Sequence, residues 1–352
     1  MLKDKIPVAV LGATGSVGQR FISLLDEHPW FRVVALTASE RSAGKPYRQA
    51  CRWILPEAMP IWAEEMLLLP STPEHMPQAR IVFSALPADE ARIIEPLFAG
   101  AGVAVCSNAS AFRRDEDVPL LLPEVNANHI RLVEQQRVIR GWKGCIITNP
   151  NCTSTGLTIA LKALDDRFGV TRVMAVSLQA LSGAGYPGVP SLDVIDNVIP
   201  YIAGEEEKLE WEPRKMLGRL EGGQVVMAPL LLSAHTNRVP VTDGHLVCAS
   251  VELNNPADAA QALEALQRYQ CHPLATDLPS TPRPVIAVSS QPDRPQPRLD
   301  RMAGSGMTTV VGRVRQDPLL HLKFVVCSHN TFRGAAGGSI YNAELLVKEG
   351  LN

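Results

Sequence analysis
The sequence predicts an α/β chain in two units. An N-terminal doubly wound parallel sheet comes first, and an α+β unit on a mixed sheet follows. Three observations carry this expectation. A length of 352 residues suits about two domains. Through the first third, short apolar runs alternate with helical stretches, the rhythm of a parallel sheet with crossover helices. Beyond Asn149 the strand candidates lengthen and their connections become irregular, which suits an open mixed sheet.

Each element has its own reason. Val8-Ala9-Val10-Leu11 is a continuous apolar run, as a strand buried on both faces requires. Glycines 12, 15 and 18 follow it, and a helical pattern over Val17 to Glu27 puts Phe21, Leu24 and Leu25 on one face. Arg32 to Thr37, Ile81 to Leu86 and Val103 to Cys106 are the next strands, the second stopped by Pro87. The Pro-rich stretch from Trp53 to Pro77 gives no clear element. In the second unit, Thr153 to Asp165 is helical, with Leu157, Leu161 and Leu164 on one face. Val173 to Leu181, Leu246 to Leu253, Thr308 to Val314 and Leu322 to Cys327 are strands. Pro279 to Pro297 reads as an extended surface connection, and Gly334 to Lys348 as the last helix. The expected division is a Rossmann-like unit over 1–150, completed by the C-terminal helix over 331–352, and a second unit over 151–330.

Composition narrows the function. Lys plus Arg number 34 and Asp plus Glu 36, a net charge of −2. Nucleic-acid binders carry a basic bias that is missing here. No apolar run approaches the roughly 18 residues of a membrane helix, and Ile6 to Leu11 is too short for a signal peptide. No membrane or nucleic-acid partner is therefore expected. The seven cysteines are odd in number and scattered, which argues against a disulfide framework and for a reducing, cytoplasmic setting. The chain has no Cys-x-x-Cys pair, so no metal site is expected.

Two stretches carry chemistry. Gly12, Gly15 and Gly18 form a G-x-x-G-x-x-G turn between strand and helix, where backbone N–H groups and the helix dipole suit a pyrophosphate. Thr14, Ser16 and Val17 line the same turn. After the second strand, Ser39, Arg41 and Ser42 supply donors for a 2′-phosphate, which favours NADP over NAD, although Glu40 could serve NAD. Cys152 opens the second-unit helix, where the dipole is expected to lower a thiol pKa. Its acid/base partner is one of eight histidines. His245 stands at a strand entrance, with His235 and His329 as competitors. Arg238 lies seven residues before His245, an odd spacing that separates faces on one strand, so Pro240 to Gly244 must turn if both serve one site.

Several blocks together resemble the aspartate-semialdehyde dehydrogenase family, in the branch of archaea, fungi and some bacteria. They are Gly12 to Gly18, Ser107 to Arg113, Asn149 to Gly156, Gln179 to Gly188, Gly204 to Lys208, Asn237 to His245 and Ser328 to Gly338. They occur in the family's order and cover nearly the whole chain. The resemblance implies NADPH-dependent reduction of L-4-aspartyl phosphate to L-aspartate-4-semialdehyde and phosphate, toward lysine, threonine, methionine and isoleucine. It implies Cys152 as nucleophile, His245 as acid/base and Gln179 as the residue orienting the thioacyl intermediate. Arg238 would meet the substrate carboxylate, Glu205 the ammonium, and Arg113 and Lys208 the phosphate. On composition alone, Glu205 to Lys208 would be a solvated helix start with local pairing. Ser182, Gly183 and Asn330 would lie near the nicotinamide. A catalytic and dimerisation role for the second unit, in a homodimer or homotetramer, is implied as well. A malonyl-CoA-type acyl-CoA reductase, an N-acetylglutamyl-phosphate reductase and a non-catalytic NADP-binding protein of the same fold are the competing readings. Leu181 and His235 depart mildly from the family's usual residues.

Overall fold
The computed structural model describes residues 4–352. Two six-stranded sheets organise the chain. The first has the order β3-β2-β1-β4-β5-β6, all parallel. Its strands are β1 (Ile6–Leu11), β2 (Phe31–Thr37), β3 (Leu68–Leu69), β4 (Ile81–Ser84), β5 (Ala104–Ser107) and β6 (Cys145–Thr148). The apolar runs make the central strands, and β4, β5 and β6 are buried along their whole length. The strand order reverses between β1 and β4, so a crevice opens at the carboxyl ends of these two strands. The glycine turn sits there and leads into the Ser16–Leu25 helix.

The second sheet is mixed, with the order β10-β7-β11-β14-β13-β12. It comprises β7 (Val170–Gln179), β10 (Leu231–Arg238), β11 (His245–Leu253), β12 (Ile286–Ser289), β13 (Thr309–Gln316) and β14 (Leu322–Ser328). A separate hairpin joins β8 (Arg219–Glu221) to β9 (Gln224–Val226). The Cys152–Phe168 helix packs against β7, β11, β13 and β14, burying Leu157, Leu161 and Leu164 completely. The last helix, Gly337–Lys348, returns to pack on β4 and β5 of the first sheet.

The structure corrects the sequence reading at several elements. Pro279 to Pro297 is not wholly a connection, because Ile286–Ser289 adds an edge strand parallel to β13. An edge strand needs partners on one side only, so flanking prolines are tolerated. The strands β3, β6 and β10 have no counterpart in the sequence pattern. In β10 the outward residues stay exposed, and Ser233, His235 and Asn237 dilute its apolar signal. The final helix is preceded by a wide turn over Phe332–Ala336, where Gly334 lets the backbone approach Cys152.

One buried carboxyl on the first sheet gives a stability prediction. Glu95 is fully buried, and the Ser107 hydroxyl donates to its Oε1 at 2.6 Å. Burial pushes its pKa up from 4.5 to about 7, against the opposing hydrogen bond of Ser107. A raised folded-state pKa contributes stability at low pH that is lost as pH rises from 4.5 through about 7. Glu95→Gln removes that loss, and the variant should exceed the parent by about 3 kcal/mol at pH 8. Denaturant unfolding at pH 5 and pH 8 checks this. An unaltered pH dependence in the variant would overturn it.

Candidate active site
The Cys152–Phe168 helix begins just past the end of β6, close to the ends of β7 and β14 and the start of β11. Asn151 caps this helix: its Oδ1 accepts from the N–H groups of Thr153 (2.9 Å) and Ser154 (3.3 Å). Asparagine is a favoured residue at this position because it satisfies orphan donors of the first turn. Cys152 is thereby fixed as the first helical residue, half-buried at the mouth of the cleft. Gly334 makes the approach possible, since a Cβ there would fall 2.7 Å from the Cβ of Cys152.

The second sheet sets which histidine faces Cys152. Arg238 ends β10 opposite Gln179, the last residue of β7. His245 opens β11 on the other side of β7. Residues 239–244 therefore cross the end of β7, which resolves the odd spacing between Arg238 and His245. Cys152 Sγ lies 3.2 Å from His245 Nε2. The Ala180 N–H donates to His245 Nδ1 at 3.0 Å. A backbone N–H can only donate, so the neutral ring carries its proton on Nε2, facing the sulfur. His329 is buried beside Phe332, with the Thr331 N–H donating to its Nδ1, and His235 points outward from the sheet.

The electrostatics overturn one expectation. Burial pushes the Cys152 thiol up to about 12, and the Glu205 carboxylate adds to this, while Arg113 and Arg238 oppose it. Desolvation of the charged form outweighs both cations, so the thiol is raised rather than lowered. Burial drives His245 down to about 3, helped by Arg238 and His329. The resting pair is thus a neutral thiol and a neutral imidazole.

The charged residues converge on this pair. Arg238 is buried, and its guanidinium donates to the Ala180 carbonyl at 2.6 Å. Glu205, nearly buried at the start of the Glu205–Met216 helix, accepts from Asn151 Nδ2 at 3.0 and 2.8 Å and from Gln179 Nε2 at 3.4 Å. Lys208 donates to Glu205 at 2.8 Å. The local pairing read from composition is present, but it is held inside the site. Arg113 donates to Glu212 at 2.8 Å and to the Asn108 carbonyl at 2.8 Å. Asn151 was legible as a helix cap. Glu212 was legible only as part of a stripe: Glu205, Lys208, Glu212 and Lys215 recur at the i, i+3, i+7, i+10 spacing of one helix face.

Ser182, Gly183 and Asn330 form the opposite wall. Asn330 Nδ2 donates to Ser182 Oγ at 2.7 Å, and Asn330 Oδ1 accepts from the Gly244 N–H at 2.8 Å. Asn330 therefore ties the turn before His245 to the Leu181–Ala184 turn. A Cβ on Gly183 would lie 2.8 Å from Arg238 Nη1 and 3.2 Å from His245 Nε2. Gly183→Ala should lower kcat by about 10²-fold through misplacement of these two groups. Its melting temperature should stay close to the parent's, because the turn is exposed. Steady-state kinetics beside thermal unfolding checks this, and unaltered kcat would refute it.

The glycine turn fits a dinucleotide. Gly12 has φ +71°, and a Cβ there would meet the Ala85 carbonyl oxygen at 2.9 Å. A Cβ on Gly18 would meet the Gly12 carbonyl oxygen at 2.3 Å. No side chain caps the following helix, so its first N–H groups stay available to a phosphate. Thr14, Gly15, Ser16 and Val17 lie in this cradle. Ser39 and Arg41 stand exposed beyond the end of β2, with Ser42 half-buried beside them.

Comparison with known proteins agrees with this architecture. Residues 7–133 match the family model "Semialdehyde dehydrogenase, NAD binding domain", and residues 161–333 match "Semialdehyde dehydrogenase, dimerisation domain". The aspartate-semialdehyde dehydrogenase of Archaeoglobus fulgidus is 53% identical over 342 residues, covering 97% of this chain and 98% of that one. That of Schizosaccharomyces pombe is 47% identical over 351 residues, covering 98% of each. The crystal structure of aspartate-semialdehyde dehydrogenase with NADP from Candida albicans superposes with a TM-score of 0.91 at 44% identity, covering 98% of this chain and 99% of that chain. The chain belongs to the aspartate-semialdehyde dehydrogenase family of enzymes.

Proposed function
We propose that this chain reduces L-4-aspartyl phosphate to L-aspartate-4-semialdehyde and phosphate, using NADPH, in the route to lysine, threonine, methionine and isoleucine. The observation that carries this reading is the contact of 3.2 Å between Cys152 Sγ and His245 Nε2, ringed by Arg238, Arg113, Glu205 and Lys208. Such a ring matches a substrate with a carboxylate, an ammonium and a phosphate.

As the Cys152 sulfur attacks the acyl carbon, the thiol gives up its proton to the departing phosphate, the bond to the phosphate oxygen breaks, and a thioester forms. Arg113 and Lys208 hold the departing phosphate, and Arg238 the α-carboxylate. Glu205 meets the ammonium and exchanges its Lys208 contact for it. His245, with its proton on Nε2, donates a hydrogen bond to the sulfur and then to the oxygen of each tetrahedral intermediate. The Cys152 N–H at the helix start adds a second donor to that oxygen. Gln179 keeps the thioacyl group in register from the end of β7. NADPH, when bound at the Gly12 to Val17 turn and Ser39, Arg41 and Ser42, supplies the hydride. Ser182, Gly183 and Asn330 wall the nicotinamide side of the cleft. Collapse of the last intermediate breaks the carbon–sulfur bond, and the sulfur takes a proton from solvent to restore the thiol.

Mixing the protein with L-aspartate-4-semialdehyde, NADP and phosphate should generate NADPH absorbance. Absorbance that needs coenzyme A in place of phosphate would overturn the reading.

The same reading extends to organisation. Residues 1–150 with 331–352 form the cofactor unit, and 151–330 form the catalytic and dimerisation unit. Met174, Val176, Leu231 and Cys248 are exposed on one face of the neighbouring strands β10, β7 and β11. That apolar face supports a homodimer or homotetramer. No helix among the described residues is long and apolar enough to cross a membrane, and seven free cysteines suit a cytoplasmic enzyme.

A further inference from the structure
We propose that Glu212 is a positioning residue that aims Arg113 and fixes the chain entering the nucleophile helix, so that the phosphate site and the nucleophile are held in register by one carboxylate. The proposal rests on the reading of Arg113 as a phosphate-binding residue.

Glu212 is fully buried, and its two oxygens face two different parts of the site. Oε1 accepts from Arg113 Nη1 at 2.8 Å. Oε2 accepts from the Asn151 N–H at 2.6 Å, one residue before Cys152. Asn151 in turn caps the nucleophile helix and donates to Glu205. Arg113 is held at a second point by the Asn108 carbonyl, while its buried Nε has no acceptor among the described residues. One turn further along the same helix, Lys215 donates to the carbonyls of Arg113 (2.8 Å), Asp115 (2.8 Å) and Val118 (2.9 Å). The helix that begins with Glu205 thus also grips the loop that carries Arg113.

The chemistry of the carboxylate is what makes this a positioning device. Both contacts need an acceptor, and a carboxylate offers two. A glutamine of the same shape offers one acceptor and one amide donor. Its donor must face either Arg113 or the Asn151 N–H, so one of the two contacts becomes donor against donor. Charge alone predicts the opposite sign, because removal of an anion beside Arg113 would strengthen its pull on phosphate. The direction of the change therefore separates aiming from charge damping.

The test is the phosphate dependence of the reaction run toward NADPH. Glu212→Gln should raise KM for phosphate about tenfold, with KM for NADP unchanged and kcat reduced less than KM is raised. A merely structural role would lower the active fraction and the melting temperature and leave KM for phosphate where it was, and that result overturns the proposal. So does a fall in KM. In an Arg113→Ala background, Glu212→Gln should add little to the phosphate KM, and full additivity would also overturn it. Glu212→Asp, which keeps the charge but withdraws it by one methylene, serves if the glutamine variant fails to fold, and should also raise KM for phosphate. If neither variant folds, Glu212 is a folding residue and the proposal fails. Arg113→Ala alone separates the two claims. An unchanged phosphate KM there overturns the assignment of Arg113, whereas a raised one beside an unaltered Glu212→Gln overturns only the role of Glu212.

Discussion

Cys152→Ser lowers kcat by at least ~10³-fold while leaving the fold intact. The oxygen of serine replaces the sulfur with little change in shape, so the loss is chemical. The thiol already stands near 12 in the free site, pushed there by burial and by Glu205. A hydroxyl loses its proton far less readily than a thiol. His245 offers no relief, since its Nδ1 is held as an acceptor by Ala180 and its Nε2 proton points at the nucleophile. The control is Cys106→Ser. Cys106 is buried in β5, so the substitution costs about 1–3 kcal/mol of stability if the hydroxyl finds no partner. Its kcat per folded molecule should be unaltered. NADPH absorbance from L-aspartate-4-semialdehyde, NADP and phosphate gives the rates, and thermal unfolding gives the folded fraction. A Cys152→Ser enzyme with parental kcat would refute the thioester route.

Arg238→Ala raises KM for the semialdehyde by about 10²-fold or more, since losing one partner of a buried charge-assisted pair costs roughly 2–5 kcal/mol. Burial makes the effect large: water reaches the guanidinium poorly, so nothing replaces the lost contact. The Ala180 carbonyl holds the guanidinium in one orientation, and Ala180 also orients His245. Arg238 is one of the two cations that oppose the rise of the Cys152 thiol, so kcat should fall as well. Arg238→Lys should recover little, because a point charge cannot reproduce a planar two-point contact. KM for NADP should not move. Unchanged KM for the semialdehyde in Arg238→Ala would place the substrate carboxylate elsewhere.

These expectations show how far the residues could be read before the fold was known. Cys152 stood out because it opens an amphipathic helix behind an asparagine, and such a signal is local. The choice of His245 over His235 and His329 was not local. It needed the sheet order that sets β10 and β11 on either side of β7. The helix start at Cys152 was legible, but the burial that raises its thiol was not, because desolvation depends on what packs over the sulfur. Asn330 is similar: the resemblance set it near the nicotinamide, and the structure gives it a tie between Ser182 and Gly244.

By itself, the sequence determined the α/β class, the strand–glycine–helix turn at Gly12 to Gly18, the helix that begins at Cys152 and the family blocks. All of these are encoded by periodicity, chain geometry or runs of neighbouring residues. Only the tertiary structure decided which histidine faces the thiol, how Arg238 and His245 reach one cleft, and which carboxylate holds Arg113. The physical reason is common to all three. Each depends on contacts between residues distant in the chain, in a buried cleft where the cost of losing water sets every charge. Helical and strand periods say which face a side chain occupies, but not what stands opposite it.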